Sequence, residues 1–196
     1  RYRSTEGGAG GAAAAIVSEM QTYLDTFNQL KSERSDAFQS RHGLLIKTGF
    51  ALNAAILKLL KPSWTTDDST EILNSNGLFF GIWVDAACEA KGIVRFNLHA
   101  KKLRYIKGPA FPAREFARSF QVRAKDTMAS WPNISYPKGP ITLFEGHVPL
   151  NAQTLHDDAS TLMDRFAALC PLLDSMLDGC PHPMHVTPAT YPARRG

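Results

Sequence analysis

Residues 94–101, VRFNLHAK, alternate without a break: Val94, Phe96, Leu98 and Ala100 against Arg95, Asn97, His99 and Lys101. Successive side chains of an extended strand point to opposite faces, so this run builds a strand with one apolar and one cationic-polar face. An earlier run, LFFGIWVD, has the same period, with Phe80, Ile82 and Val84 opposed to Phe79, Gly81, Trp83 and Asp85. The short connection between the two suits an antiparallel pair better than a crossover. A third strand is expected in ITLFEGHVPL, where Pro149 marks a strand end or an edge.

Around these strands the spacing is helical. Ile16, Val17, Met20, Tyr23, Leu24, Phe27 and Leu30 form one stripe of a helix beginning near Ala12, and the polar run KSERSDAFQSR is expected to bend or interrupt it. The stretch 43–60 is apolar on several sides and reads as a central helix stopped by Pro62. Ala113, Phe116, Ala117, Phe120 and Ala124 make the inner stripe of another helix, with Pro112 in its first turn. Leu155, Ala159, Leu162, Phe166, Leu169, Leu173 and Met176 mark a C-terminal helix, which Pro171 is expected to kink or split and Gly179 to end. The fold class is therefore α+β: two to three N-terminal helices, a small antiparallel sheet of about three strands, an intervening basic helix and a C-terminal helix. Residues 1–11 read as a Gly-rich flexible tail, 12–179 as a single domain and 180–196 as an irregular tail.

The charge is unevenly placed. The chain of 196 residues carries a formal net charge of +4. Residues 91–125 hold ten Lys or Arg against one acid, Glu115, a net +9; the remainder, with 12 basic and 17 acidic residues, sums to −5. On the strand, Arg95, His99 and Lys101 form a row about 20 Å long at about 3.3 Å per residue. On the helix, Arg114, Arg118, Gln121 and Lys125 recur at four, three and four residues and share one face, where like charges repel modestly. Lys101, Lys102, Arg104 and Lys107 join the two elements. The simplest physical use of such a cluster is phosphate neutralisation, with counterion release driving association. Phe79 and Trp83 share the polar face of their strand, so bases would stack beside the cationic row if the two faces are continuous. The bland reading is a solvated surface that balances the acidic C-terminal helix.

Other constellations are weaker. His99 and His147 lie on strands beside Arg95 and Glu145, as an acid–base pair would, but the two-histidine phosphoesterase pattern fails at Lys101 and Pro149. Asp85, Glu89 and Lys91 match a nuclease triad in type but not in spacing. Cys180, His182 and His185 are zinc ligands by type with no fourth partner. No phosphate-binding loop, dinucleotide fingerprint or nucleophile elbow is present, and neither a metal nor a cofactor is called for. Three cysteines make no disulfide framework, and no apolar run spans a bilayer, which points to a reducing, cytoplasmic setting without a membrane. The chain opens on Arg1, not Met, as a trimmed or partial chain would.

The expected function is a non-catalytic binding module for nucleic acid or another polyanion through segment 91–125, with Arg95, His99, Lys101, Lys102, Arg104, Lys107, Arg114, Arg118, Lys125 and Trp83 as its contact residues. Two alternatives stand beside it. One is an enzyme acting on a phosphorylated or nucleotide substrate near His99, Arg95 and Glu145. The other is a structural protein docking an acidic partner surface; an apolar stripe left uncovered on the first helix would favour that reading and a homodimer.

Overall fold

A computed structural model of the chain describes the backbone of residues 9–19, and backbone with side chains for residues 20–65, 72, 76–104 and 111–179. Helix α1 (Ala9–His42) leads into a hairpin of β1 (Leu45–Ala51) and β2 (Ala54–Leu60), then a single 3-10 turn at Pro62–Trp64. Strand β3 (Gly77–Val84), the short helix α2 (Ala86–Lys91) and strand β4 (Ile93–Lys101) follow. Helix α3 (Ala113–Arg123), strand β5 (Thr142–Pro149) and helix α4 (Leu155–Asp178) complete the described order. The five described strands pair antiparallel in sequence order, β1-β2-β3-β4-β5.

The α+β class holds, but the sheet has five strands where about three were expected, because the stretch 43–60 is a hairpin and not a helix. Its apolar residues face both ways. Leu57 and Leu59 are fully buried under the helices, while Ala54 and Ile56 sit on the other face of an internal strand. A strand in the middle of a sheet reads apolar on all sides, as a buried helix does, and periodicity cannot separate the two. The turn between the strands is only Leu52-Asn53, both at positive φ (52° and 60°).

One apolar face of the sheet is covered. Leu57, Leu59, Phe80, Ile82, Phe96, Leu98 and Phe144 point into a core closed by α1, α3 and α4. Phe166 of α4 stacks on Phe80, with centroids 4.6 Å apart, and Phe120 of α3 stacks on Phe144 at 6.1 Å. Gly146 has to be glycine: a Cβ there would stand 2.5 Å from the Phe96 ring. The stripe on α1 is covered from Met20 onward; Met20, Tyr23, Leu24, Phe27 and Leu30 are all buried.

Two helix expectations are corrected by packing. Helix α1 runs unbroken through KSERSDAFQSR, because Phe38 is buried and Arg34 bridges to Asp164 of α4 at 2.6 Å. The polar run is thus a solvent face plus a seam between helices. Helix α4 is continuous through Pro171, whose neighbours Leu169, Cys170 and Leu173 are anchored in the core. Residues 1–8 and 180–196, and with them Cys180, His182 and His185, lie outside the described residues, as does Lys107. Among the described residues no helix is long and apolar enough to cross a membrane.

Candidate binding face

Among the described residues no helix lies on the opposite face of the sheet. Strand alternation and pairing place Lys47 and Gly49 of β1, Ile56 and Lys58 of β2, Phe79, Gly81 and Trp83 of β3, and Arg95, Asn97, His99 and Lys101 of β4 together on it. The aromatic and cationic rows are continuous, since Trp83 pairs with Arg95 and Phe79 with His99. Glu145 and His147 of β5 lie across from Asn97 and Arg95. The face is recessed. Arg95, His99 and Lys101 are half-buried, and Asn97 is only 3% exposed.

Gly81 is the floor of that recess. Lys58 and Asn97 pair with it from the neighbouring strands, and Phe79 and Trp83 flank it along its own. A Cβ at Gly81 would come within 3.1 Å of Asn97 Oδ1 and 3.9 Å of Trp83 Cε3, so a side chain would fill the space these groups enclose. Ile72 and Ile141 close the sides, and the cavity measures about 380 Å³.

The polar groups here hold each other in defined states. Burial pushes the His99 imidazole below its ordinary value; the Ile141 carbonyl, to which the ring donates, pulls the other way, and the charges of Lys58 and Lys101 add to the depression. The neutral ring has Nε2 at 2.7 Å from Asn97 Nδ2 and Nδ1 at 2.9 Å from Thr142 Oγ1. The nitrogen beside the Asn97 amide accepts, so Nδ1 carries the proton that faces Ile141 and Thr142. Asn97 therefore donates to His99, and its Oδ1 is left buried with no hydrogen-bond partner among the described residues. Lys58, only 4% exposed, donates to the Ile72 carbonyl and stands 4.1 Å above the Phe79 ring centroid. Its amine is pushed down to about 8, first by burial and then by the charges of Lys47 and Lys101. Phe79 in turn meets His99 edge-on at 5.2 Å.

Two further cavities adjoin this one. Toward the start of β4, a space of about 430 Å³ shares Trp83 with it and is lined by Lys91, Arg95, Glu145 and His147. Past the end of β4, a space of about 510 Å³ reaches Ala100, shares Ile141 with the recess, and is lined by Lys102, Arg104, Arg114 and Glu115. Of the expected contact residues, Trp83, Arg95, His99, Lys101, Lys102, Arg104 and Arg114 line this chain of depressions. Arg118 and Lys125 do not. Both are exposed: Arg118 on the side of α3 away from Phe116 and Phe120, which pack into the core on the other side of the sheet, and Lys125 in the turn after α3, which ends at Arg123 and so does not carry it on the helix face as expected. His99 faces the central recess, while Arg95 and Glu145 line the neighbouring cavity.

Gly81, Asn97 and Lys58 complete the site and stand outside the expected set of contact residues. A glycine in mid-strand marks close approach of something to the backbone, and a lone lysine in the run AAILKLL is costly unless it is used; the sequence carries both signals. The triad Asp85, Glu89 and Lys91 resolves into local structure. Asp85 caps α2 by accepting from the Cys88 amide at 2.7 Å, and Glu89 accepts from the Tyr23 hydroxyl at 3.0 Å. Among the described residues no group of three or more His, Cys, Asp or Glu could hold a metal ion. The chain matches no family model, and no curated protein or solved structure matches it.

Proposed function

We propose that the protein is a non-catalytic binding module for a linear polyanion, with nucleic acid as the class of ligand, received along β4. The observation that carries this reading is the succession of three cavities, joined through Trp83 and Ile141, each with cationic side chains in its lining. From Arg95 to Lys101 the strand climbs about 20 Å at about 3.3 Å per residue, a length that several phosphates of one strand would occupy. A compact ligand would need one of these spaces; an extended one uses all three. His99 has both ring nitrogens engaged and is held neutral, which favours binding over acid–base chemistry.

The test is binding of a labelled oligonucleotide, followed by anisotropy at two salt concentrations. The parent should bind with strong salt dependence. An Arg95→Ala, Lys101→Ala, Arg104→Ala variant should bind more weakly, with the slope of log affinity against log salt shallower by about 0.7 for each phosphate of a single strand that is no longer neutralised. No salt-sensitive binding by the parent, or a variant that binds as the parent does, sinks the reading. Capture of an acidic polypeptide in preference to oligonucleotides would favour docking to a protein surface.

A further inference from the structure

We propose that the Gly81 recess holds one unbranched fatty acid, its chain lying along β3 toward Ala54 and its carboxylate at Lys101. The inference goes beyond the polyanion reading and does not rest on it, since it concerns the central cavity alone.

The polar groups of the recess are engaged with the protein itself. Lys58 donates to the Ile72 carbonyl and lies over the Phe79 ring. Asn97 and Thr142 engage the two ring nitrogens of His99, and Asp85 accepts from the Cys88 amide. Asn97 Oδ1 is buried, out of reach of an occupant. None of these groups selects a polar ligand. What the walls offer instead is hydrocarbon and aromatic surface, from Leu52, Ile56, Ile72, Phe79, Trp83 and Ile141. A polar body placed against them would lose water without gaining partners. An apolar body releases water from both surfaces.

The lining is longer than it is wide. Along β3 it takes alternate residues from Phe79 to Asp85, about 20 Å at about 3.3 Å per residue, while from β2 to β4 it crosses two strand spacings, about 10 Å. Gly81 stands midway and keeps the trough open, because a Cβ there would already come within 3.1 Å of Asn97 Oδ1. An unbranched chain fills such a trough. Its two ends differ in charge. Lys101 stands at the end where it pairs with Gly77, and Asp85 at the other end, beside Ala54. An anionic head is drawn to the first and repelled by the second, which fixes the direction of the chain.

The test is calorimetric titration with octanoate, decanoate and dodecanoate, each kept below the concentration at which it aggregates, and with dodecylamine as the cationic counterpart. Affinity should rise about two- to fourfold for each added methylene, fourfold being full burial. Dodecanoate should bind more tightly than dodecylamine. Lys101→Gln should weaken dodecanoate about fivefold and leave the increment per methylene unchanged. Gly81→Val, which blocks the trough, should abolish binding of the whole series. Affinity that does not change with chain length overturns the proposal. Dodecylamine binding as tightly as dodecanoate overturns the fatty-acid class, and a folded Gly81→Val variant that still takes up dodecanoate places the chain elsewhere and overturns the site. Should Gly81→Val fail to fold, the chain-length series on the parent and on Lys101→Gln decides.

Discussion

Leu52 occupies the backbone position least suited to its side chain. It and Asn53 form a two-residue hairpin turn with φ of 52° and 60°, and Leu52 is 87% exposed. Two positive φ values make a type I′ turn, which favours Asn or Gly at both positions. A branched apolar residue in that region costs about 1–2 kcal/mol, and Leu52 recovers little by packing. Leu52→Asn is expected to stabilise the protein by about 0.5–1 kcal/mol, a rise of a few degrees in melting temperature for a chain this size. A lower melting temperature would reject that account. A higher one with weaker oligonucleotide binding would show that the exposed leucine, which borders the recess, serves the ligand. Single residues also show how far the sequence can be read. The alternation around Arg95, His99 and Lys101 is enough by itself to place them on one face. Asn97 is legible as a member of that face but not as its orphaned acceptor, because that depends on the neutral state of His99, which arises from burial by groups distant in sequence.

The seam between α1 and α4 is held by side chains that read in the sequence only as a solvated polar run. Arg34 bridges Asp164 and also meets Ser160, and His156 lies 2.8 Å from Glu33 and 3.1 Å from Asp157. Hydrogen bonds to Asp157 and then to Glu33 hold the His156 imidazole above its ordinary value, and those from Gln29 and then His156 hold the Glu33 carboxyl below its own. A raised histidine contributes stability that is fully present below its unfolded value near 6.5 and is lost as pH rises through the folded value. The glutamate contribution runs oppositely: it is present above the unfolded carboxyl range and lost as pH falls through the lowered value. The seam should be firmest between these limits. His156→Gln should therefore cost more stability near pH 5.5 than near pH 8, read as the difference in melting temperature between parent and variant at about those two values. The effect will be small because the groups are largely in water. A difference that does not change with pH would remove His156 from the account. At this scale β3, β4, β5, α3 and α4 are legible from their periods. The β1–β2 hairpin is not, because its second strand is buried on both faces and Asn53 is its only conventional turn residue.

Across the whole molecule the basic segment 91–125 is divided by the sheet. Arg95 and Lys101 lie on the open face, Arg118 on the exposed side of α3 and Lys125 in the exposed turn that follows it. A run of charge in sequence says nothing about this division, which follows from α3 turning its apolar stripe onto Phe144 after the chain leaves β4. The two pairs make a controlled comparison, since Arg95→Ala with Lys101→Ala and Arg118→Ala with Lys125→Ala each remove two positive charges. Long-range attraction of a polyanion falls by a similar amount in both. Only the first pair touches the proposed track, so only it should lower the salt slope, by about 0.7 per contact on a single strand. The second pair is exposed and should leave stability within about 0.5 kcal/mol. Both variants should be melted and titrated with the same oligonucleotide. Equal reductions in slope would mean that net charge, not the open face, attracts the ligand. A larger reduction from Arg118 and Lys125 would move the binding surface to the outer side of α3.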